Sequence, residues 1–543
     1  MSDHQKPNVI VILNDDMGFS DIGCYGGEVE TPNLDTLALN GLRYSQFYNT
    51  ARCTPSRASL LTGLHPHQTG IGVLTYDMGP EGYVGNLSKN AVTIPEVLKG
   101  AGYSTYMSGK WHIASSLHEP SDAWPTRRGF DEFYGTIIGA GSFYSPNTLT
   151  RGEENVEHEA DTDSEFFYTD AISDQAADYV KSHANQDGDA PFFLYTAYTA
   201  PHWPLHAHPE DIAKYKGRFD AGWDTLREER LARLVRSGLL DAKWGLSDRD
   251  PSQRPFDDAE DKAWLCRCME VYAAQIDRMD QGIGRILDAL DETGMADNTL
   301  IVFLSDNGGC AEDIPEDVTP SQLVEDLNIA RYKTRDGRDV RIGNDRSIMP
   351  GAEDTYQSYE TAWANLSNAP FRLYKHWIHE GGISTPLIMH WPNGIAEPGG
   401  LRHRPGQLTD IMATILKVTG AQYPSEYDGH AIPPCEGESM ADSFTSADTT
   451  RGPLFWEHEG NAAVRDGKWK LVRKYPHDWE LYDMDDDRTE LNDIVAQHPD
   501  RKAKMLVQYE TWANRCGVIP RAQILRVMAD RNEYAFWEKP EEI

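Results

Sequence analysis

Four apolar runs, each breaking off into polar side chains that can do chemistry, restrict this chain more than any other feature. Asn8-Val9-Ile10-Val11-Ile12-Leu13 ends in Asn14-Asp15-Asp16, and Thr299-Leu300-Ile301-Val302-Phe303-Leu304 ends in Ser305-Asp306-Asn307-Gly308-Gly309. Tyr103-Ser104-Thr105-Tyr106-Met107 leads to Gly109-Lys110-Trp111-His112, and Phe192-Phe193-Leu194-Tyr195 leads to Ala200-Pro201-His202-Trp203-Pro204. Largely apolar runs of this length suit strands covered on both faces. Helical patterns lie between them, as at Thr93 to Gly100 and Tyr272 to Gly294. Strand, helix, strand is the order of an α/β doubly wound sheet, whose crevice lies beyond the carboxyl ends of its strands. The expectation is a large central sheet, mixed but mostly parallel, flanked by helices. Four strand ends would then deliver carboxylates, an amide, a lysine and two histidines to one place.

The rest of the chain divides around that core. Residues 1–425 read as the catalytic domain, with a charged insertion at 206–264 that has a helical stretch from Trp223 to Gly238 and is placed to overhang the site. Residues 311–360 are polar and suit a long loop, and a Pro/Gly/Glu-rich stretch at about 423–440 suits a linker. Residues 440–543 read as a small α+β subdomain. In it Ala463 to Val472 turns at Asp466-Gly467, Glu480-Leu481-Tyr482-Asp483 reads as a further strand, and Lys502 to Asn514 as a helix covering a small antiparallel sheet.

Charge narrows the partners. Lys+Arg 51 against Asp+Glu 86 gives a net charge of −35, which argues against nucleic acid and anionic membranes. An anionic substrate would need cations concentrated at its site. Met1-Ser2-Asp3-His4-Gln5-Lys6-Pro7 lacks the regions of a signal peptide, and no apolar run reaches the roughly 18 residues of a membrane span. The seven scattered cysteines suit a reducing compartment, so a cytoplasmic location is expected. Cys266-Arg267-Cys268 is too short and isolated for a zinc site and suits a helix.

Asp15, Asp16, Asp306 and Asn307 are oxygen donors without a thiolate or imidazole among them, a set suited to Ca²⁺ or Mg²⁺. Adjacent carboxylates resist joint ionisation unless a cation removes the cost. Singly, Asp-Asp also suits a turn or cap, and Asp-Asn-Gly an ordinary turn. Lys110 and His112 share a face in an extended chain. Pro201 and Pro204 restrict the backbone around His202. Lys375, in Arg372-Leu373-Tyr374-Lys375, precedes a Gly381-Gly382 turn and the strand Pro386-Leu387-Ile388-Met389. Alone, it reads as a solvated or core lysine. His65 and His67, around Pro66, read as structural.

The last motif is Cys53-Thr54-Pro55-Ser56-Arg57, followed by Leu60-Leu61-Thr62-Gly63 and Gly70. It resembles the signature of the type I sulfatases of the alkaline phosphatase superfamily. With Asn14 to Asp21, Gly109 to His112, Ala200 to Pro204, Ser305 to Gly308, Arg372 to Lys375 and the insertion segment Lys216 to Gly222, the chain is most similar to bacterial arylsulfatases, from Val9 to the C-terminal strands. His376-Trp377 after Lys375 is a departure that bears on the substrate pocket. The resemblance implies an alkaline phosphatase-like fold and one Ca²⁺ held by Asp15, Asp16, Asp306 and Asn307, with residue 53 completing the metal set. It implies oxidation of Cys53 to formylglycine by a formylglycine-generating enzyme, and hydration of the aldehyde to a geminal diol that attacks the sulfur of a small sulfate ester. Arg57 would orient residue 53, Lys110 and Lys375 would clamp the sulfate, and Asp306 would accept the attacking proton. His202 and Lys375 would serve the leaving oxygen, and His112 would deprotonate the second hydroxyl to expel sulfate. A phosphonate monoester or phosphodiester hydrolase of the same superfamily is the main alternative, and a non-catalytic anion binder with an unmodified Cys53 a second. The natural alcohol stays open, with Trp203, Tyr374 and Trp377 offered for an aryl, steroid or sugar face. So does the oligomeric state.

Overall fold

The computed structural model describes residues 6–188, 190–447 and 449–531. The first five residues of the opening segment and residues 532–543 at the end of the 440–543 subdomain lie outside it. Strands β1 (Asn8–Asn14), β2 (Leu42–Tyr48), β3 (Ser104–Gly109), β4 (Glu132–Thr136), β5 (Leu149–Arg151), β6 (Glu154–Asn155), β7 (Phe192–Ala197), β8 (Thr299–Ser305), β9 (Ser384–His390), β10 (Gly400–Arg402) and β11 (Gly406–Gln407) form one sheet. Its order is β10-β2-β9-β8-β1-β7-β3-β4-β5-β6, with β11 also on β2. The four apolar runs are the adjacent central strands β8, β1, β7 and β3, all parallel. Every residue of β1 is buried. Alternate side chains serve two cores. Ile10 and Ile12 pack with Ile172, Val180, Ile276 and Ile283, from helices α2 (Tyr168–Asp187) and α3 (Lys262–Thr293). Val9, Val11 and Leu13 face Leu60 and Leu61 of helix α1 (Cys53–Thr62) on the other side.

Direction explains how separate segments meet. Parallel strands end on one edge, so Asp15, Asp306, Lys110 and His202 follow β1, β8, β3 and β7 on the same side. Strand β9 runs antiparallel to β8 and to β2. Lys375, which precedes β9, and Cys53, which follows β2, therefore reach that edge too. Asn14 pairs with Ser305, and Ala197 with both Leu13 and Gly109, so the strand ends are level.

The remaining segments differ from expectation in informative ways. The insertion lies between β7 and β8, and its helix packs against the segment that follows β1. Arg230, in its helix Gly222–Arg236, donates to Asp21 at 2.8 Å and to Glu28 at 2.7 Å. The segment at 423–440 is packed on the core: it carries the hairpin Glu426–Tyr427 with His430–Ala431, and the Glu436 amide donates to the Gly63 carbonyl at 2.9 Å. The 311–360 segment is mostly irregular, with one turn of π-helix at Gln322–Asp326 and a strand pair Arg341–Ile342 with Thr355–Tyr356. Gly381 and Gly382 sit in a short helix, Glu380–Ile383, and not in a turn. Helix α3 begins at Lys262, well before Tyr272, and contains both Cys266 and Cys268. Among the described residues, no helix is long and apolar enough to cross a membrane.

Strands β12 (Leu454–His458), β13 (Asn461–Asp466), β14 (Trp469–Arg473) and β15 (Glu480–Asp483) form the C-terminal antiparallel sheet. Helix α4 (Pro499–Cys516) covers one face through Met505, Tyr509 and Trp512. The other face packs on Tyr48, Ala51, Ile378 and Ile383. A fully buried charge cluster fastens it there: Glu380 accepts from Lys470 at 2.8 Å, from Tyr48 at 3.0 Å and from Arg488 at 3.3 Å, while Glu490 lies 2.7 Å from Lys470. Removing one partner of such a group strands the other charges in a low dielectric, at a cost of about 3–5 kcal/mol. Glu380→Ala is expected to lower the thermal unfolding midpoint by several degrees. An unchanged midpoint would show that the cluster does not fasten the subdomain.

Candidate active site

At the shared strand edge the sequence's carboxylates and cations meet in a buried, interlocked group. Lys110 donates to Asp15 Oδ2, and Lys375 donates to Asp16 Oδ2 at 2.9 Å. Arg57 donates to Asp306 Oδ2 at 2.8 Å and to the Lys110 carbonyl at 3.0 Å. The Asn307 amide donates to Asp16 Oδ1 at 2.6 Å. Asp16, His112 and His376 hold positive φ of 67°, 59° and 89°, a conformation that side chains other than glycine adopt at a cost. Gly109, at φ 115°, lies so close to the Ala197 carbonyl that a Cβ would sit 2.0 Å from its oxygen, so only glycine lets β3 end here.

The donor set fits a divalent cation. Asp15 Oδ1 and Asn307 Oδ1 are buried without a hydrogen-bond partner, in a region where unpaired polar oxygens are costly. Burial, joined by the Asp15 charge, pushes the Asp306 carboxyl above its ordinary range. Burial would raise Asp15 as well, but Lys110, His202, Arg57 and Lys375 outweigh it and hold that carboxyl low. Clustered carboxylates at odds over their charge are what a cation reconciles. His202 is close enough to join them: Asp15, Asp16 and His202 each offer a ligand atom within 4.8 Å of the others.

Above this group opens a cavity of about 270 Å³, lined by Cys53, His112, His202, Lys375, Arg52, Glu312 and an apolar wall. Cys53 is the first residue of α1, its thiol 3.5 Å from His112 Nδ1. Burial, with Lys110 and Arg57 adding to it, pushes the His112 imidazole well below its ordinary range, which favours its neutral form. His202 Nδ1 faces the Trp203 carbonyl at 2.6 Å, while Nε2 lies 3.4 Å from Lys375 Nζ. Burial also lowers His202, against the pull of Asp16. Burial works against the charge of Lys375, but Asp16 leads several groups that overcome it and raise the ammonium well above its ordinary value.

The chain as a whole has known relatives. The sulfatase family model matches residues 7–421. The chain belongs to the sulfatase family. It is a sulfuric ester hydrolase, and a second model, N-sulphoglucosamine sulphohydrolase C-terminal, matches residues 371–513. An uncharacterised sulfatase of Schizosaccharomyces pombe is 31% identical over 95% of both chains. An arylsulfatase of Klebsiella aerogenes is 33% identical over 77% of this sulfatase and 87% of its own length. Among solved structures, Ps i-CgsB superposes with a TM-score of 0.67 at 24% identity, covering 98% of this sulfatase and 100% of that chain, a likeness of fold. Formylglycine and a metal ion are general to the family.

All the sequence candidates converge on this edge, including Lys375, which the sequence alone would leave on the surface or in the core. His65 and His67 stay outside the cavity, with His67 held by Glu457 at 2.8 Å. Of the three aromatics offered for the substrate, only Trp203 lines the cavity. Tyr374 donates to Asp250 at 2.7 Å, and Trp377 packs against Tyr374, so neither it nor His376 reshapes the pocket. The expected overhang comes from elsewhere. Leu74, Thr75 and Tyr76, Leu117, Ile138 to Ala140, and Asp326, Leu327 and Ile329 form the walls, and no residue of 206–264 does. The sequence reading missed Arg52 and Glu312, though Arg52 adjoins the cysteine motif and Glu312 follows the Asp306 strand end. A second group of potential metal ligands, His376, His458 and Glu459, has a cation already, since Arg521 lies 3.2 Å from Glu459.

Gly139 closes the pocket against the His112 ring. A Cβ there would fall 2.1 Å from Cε1 of the imidazole. The ring can swing away, so Gly139→Ala is expected to fold normally but to lower kcat/KM for an aryl sulfate on the order of 10²-fold, the cost of a base displaced by about an ångström. Kinetics beside a thermal melt check this; a fallen melting point with unchanged kcat/KM would refute it.

Proposed function

We propose that this sulfatase hydrolyses sulfate monoesters, aryl sulfates among them. Its nucleophile would be a formylglycine made from Cys53, and Asp15, Asp16, Asp306, Asn307 and residue 53 would hold one Ca²⁺. The observation that carries this reading is the placement of Cys53 at the pocket floor, with His112 on one side and His202 and Lys375 on another wall. An all-oxygen donor set of carboxylates and an amide favours Ca²⁺ over softer metals. The bound ion would supply Lewis-acid polarisation, and hydrated formylglycine an oxygen nucleophile that can later release sulfate.

The chain's own groups supply the rest. Lys375, which lines the cavity, and Lys110, buried beneath it against Asp15, would set positive charge by the sulfate's non-bridging oxygens, and the burial of both limits screening by water. Arg57 fixes Asp306, which accepts the proton of the attacking hydroxyl. His112, 3.5 Å from the Cys53 thiol, would take the proton of a second hydroxyl on residue 53. His202, its ring fixed by the Trp203 carbonyl, and Lys375 protonate or stabilise the departing oxygen. The apolar wall of Leu74, Leu117, Ile138, Trp203 and Ile329 suits a compact aromatic alcohol. Maturation is assigned to a formylglycine-generating enzyme. All seven cysteines are unpaired, which supports a reducing, cytoplasmic setting.

Turnover of an aryl sulfate beside the matching phosphate diester and phosphonate monoester tests the proposal, together with peptide mass mapping of residue 53. The expected result is sulfate preference with residue 53 carried as the aldehyde. Diester or phosphonate preference would move the protein to the sister hydrolases, and full activity with an unmodified thiol would remove formylglycine.

A further inference from the structure

Glu312 is a carboxylate in the wall of a pocket meant for an anion, and the mechanism above has no use for it. Its side chain is 13% exposed. Arg52 Nη1 lies 2.6 Å from Oε1, Trp203 Nε1 donates to Oε2 at 3.2 Å, and Lys375 Nζ lies 3.7 Å from Oε2. These three partners adjoin or belong to the reacting groups: Arg52 precedes Cys53, Trp203 follows His202, and Lys375 lines the pocket. Lys375 is thus shared between two carboxylates, Asp16 and Glu312. Stability alone is a poor reason for such a group, because a buried ion pair is often no better than apolar packing. Burial opposes the charge of Glu312, but Arg52 first, then Lys375 and His202, hold it well below the usual carboxylate range, so it stays ionised.

Its charge matters because the substrate and the product differ in theirs. A sulfate monoester carries one negative charge, and the inorganic sulfate released carries two at neutral pH. A pocket lined by Arg52 and Lys375 over a divalent cation, without a counterweight, would hold the product more tightly than the ester. We propose that Glu312 is a specificity-determining residue, whose carboxylate trims the positive field between Arg52 and Lys375 so that monoanionic esters bind and dianions are released. This rests on the reading of the pocket as the sulfate-ester site. Dianionic aryl phosphates fall under the same discrimination as inorganic sulfate.

The test compares wild type, Glu312→Gln and Glu312→Asp for three quantities: KM for an aryl sulfate, competitive inhibition by inorganic sulfate, and kcat/KM for the matching aryl phosphate. One unit of charge acting across a partly wet pocket corresponds to a change on the order of tenfold. Glu312→Gln should therefore tighten sulfate inhibition about tenfold relative to KM, and raise the phosphate-to-sulfate ratio of kcat/KM by a similar factor. Glu312→Asp, which keeps the charge, should stay near wild type. Arg52→Gln leaves the carboxylate with Lys375 as its remaining charged neighbour and should shift both ratios the other way, which carries the test if Glu312→Gln does not fold. Unchanged ratios in Glu312→Gln, or equal shifts in Glu312→Asp, would overturn the assignment. A wild type without Cys53-dependent sulfatase activity would overturn the underlying reading with it, whereas an active wild type with unmoved ratios overturns Glu312 alone.

Discussion

Cys53→Ala is expected to abolish aryl sulfate turnover, with kcat/KM falling by roughly 10⁴ to 10⁶, the range seen when a covalent nucleophile is deleted. The fold should not change. Cys53 opens a helix whose remaining residues, among them Leu60 and Leu61, hold it against the sheet. Alanine is smaller, apolar and a better helix former at that position. A protein with the wild-type melting point and no activity would match expectation. Activity surviving above a thousandth of wild type would mean that another group attacks sulfur, and His112, 3.5 Å from the thiol, would be the first to examine.

The second large effect concerns the metal. Asp306→Ala is expected to eliminate the heat of Ca²⁺ binding in a calorimetric titration of metal-stripped protein, and to cost at least about 10³ in kcat through lost charge stabilisation. Asp306 also partners Arg57, whose nearest remaining carboxylate would be Asp15 at 3.7 Å, beside its hydrogen bond to the Lys110 carbonyl. A stability loss of about 3–5 kcal/mol should therefore accompany the change. Asp306→Asn separates the two consequences, since it preserves shape while removing a ligand charge. Weak Ca²⁺ binding in a stable Asp306→Asn protein supports the ligand role. Full affinity in either variant would take Asp306 out of the set.

What could be read from the sequence follows from how locally each feature is encoded. Central strands announce themselves because burial on both faces demands runs such as Val9 to Leu13, and the polar residues after them stand out against that run. Parallel neighbours then place their ends together without further information. Lys375 was ambiguous for the opposite reason: its position depends on β9 running antiparallel, a pairing between segments far apart in the chain. The pocket wall was illegible for the same cause. Leu74, Leu117, Ile138 and Ile329 are apolar residues in irregular segments, with no periodicity to distinguish a lining residue from a packed one. The charged insertion misled because its acidity and basicity suggested a rim, whereas Arg230 is buried against Asp21 and Glu28. Glu312 gave little signal beyond its place after the Asp306 strand end, because a carboxylate in a polar loop is ordinary until its neighbours are known.

Helix α1 has one more consequence. All ten of its residues are buried, and Cys53 is 3% exposed at the bottom of a cavity that admits a small ester. Another protein's catalytic centre cannot reach a thiol held there. The oxidation proposed for Cys53 would therefore have to happen while this stretch is still an open chain, before the segments that wall the cavity close around it. Maturation and folding then compete in time, and a chain that folds first is sealed as a thiol protein for as long as it stays native. The active fraction of a preparation would be fixed at synthesis, by how fast the nascent segment meets its modifying enzyme, and exposing the purified protein to that enzyme later would not raise it.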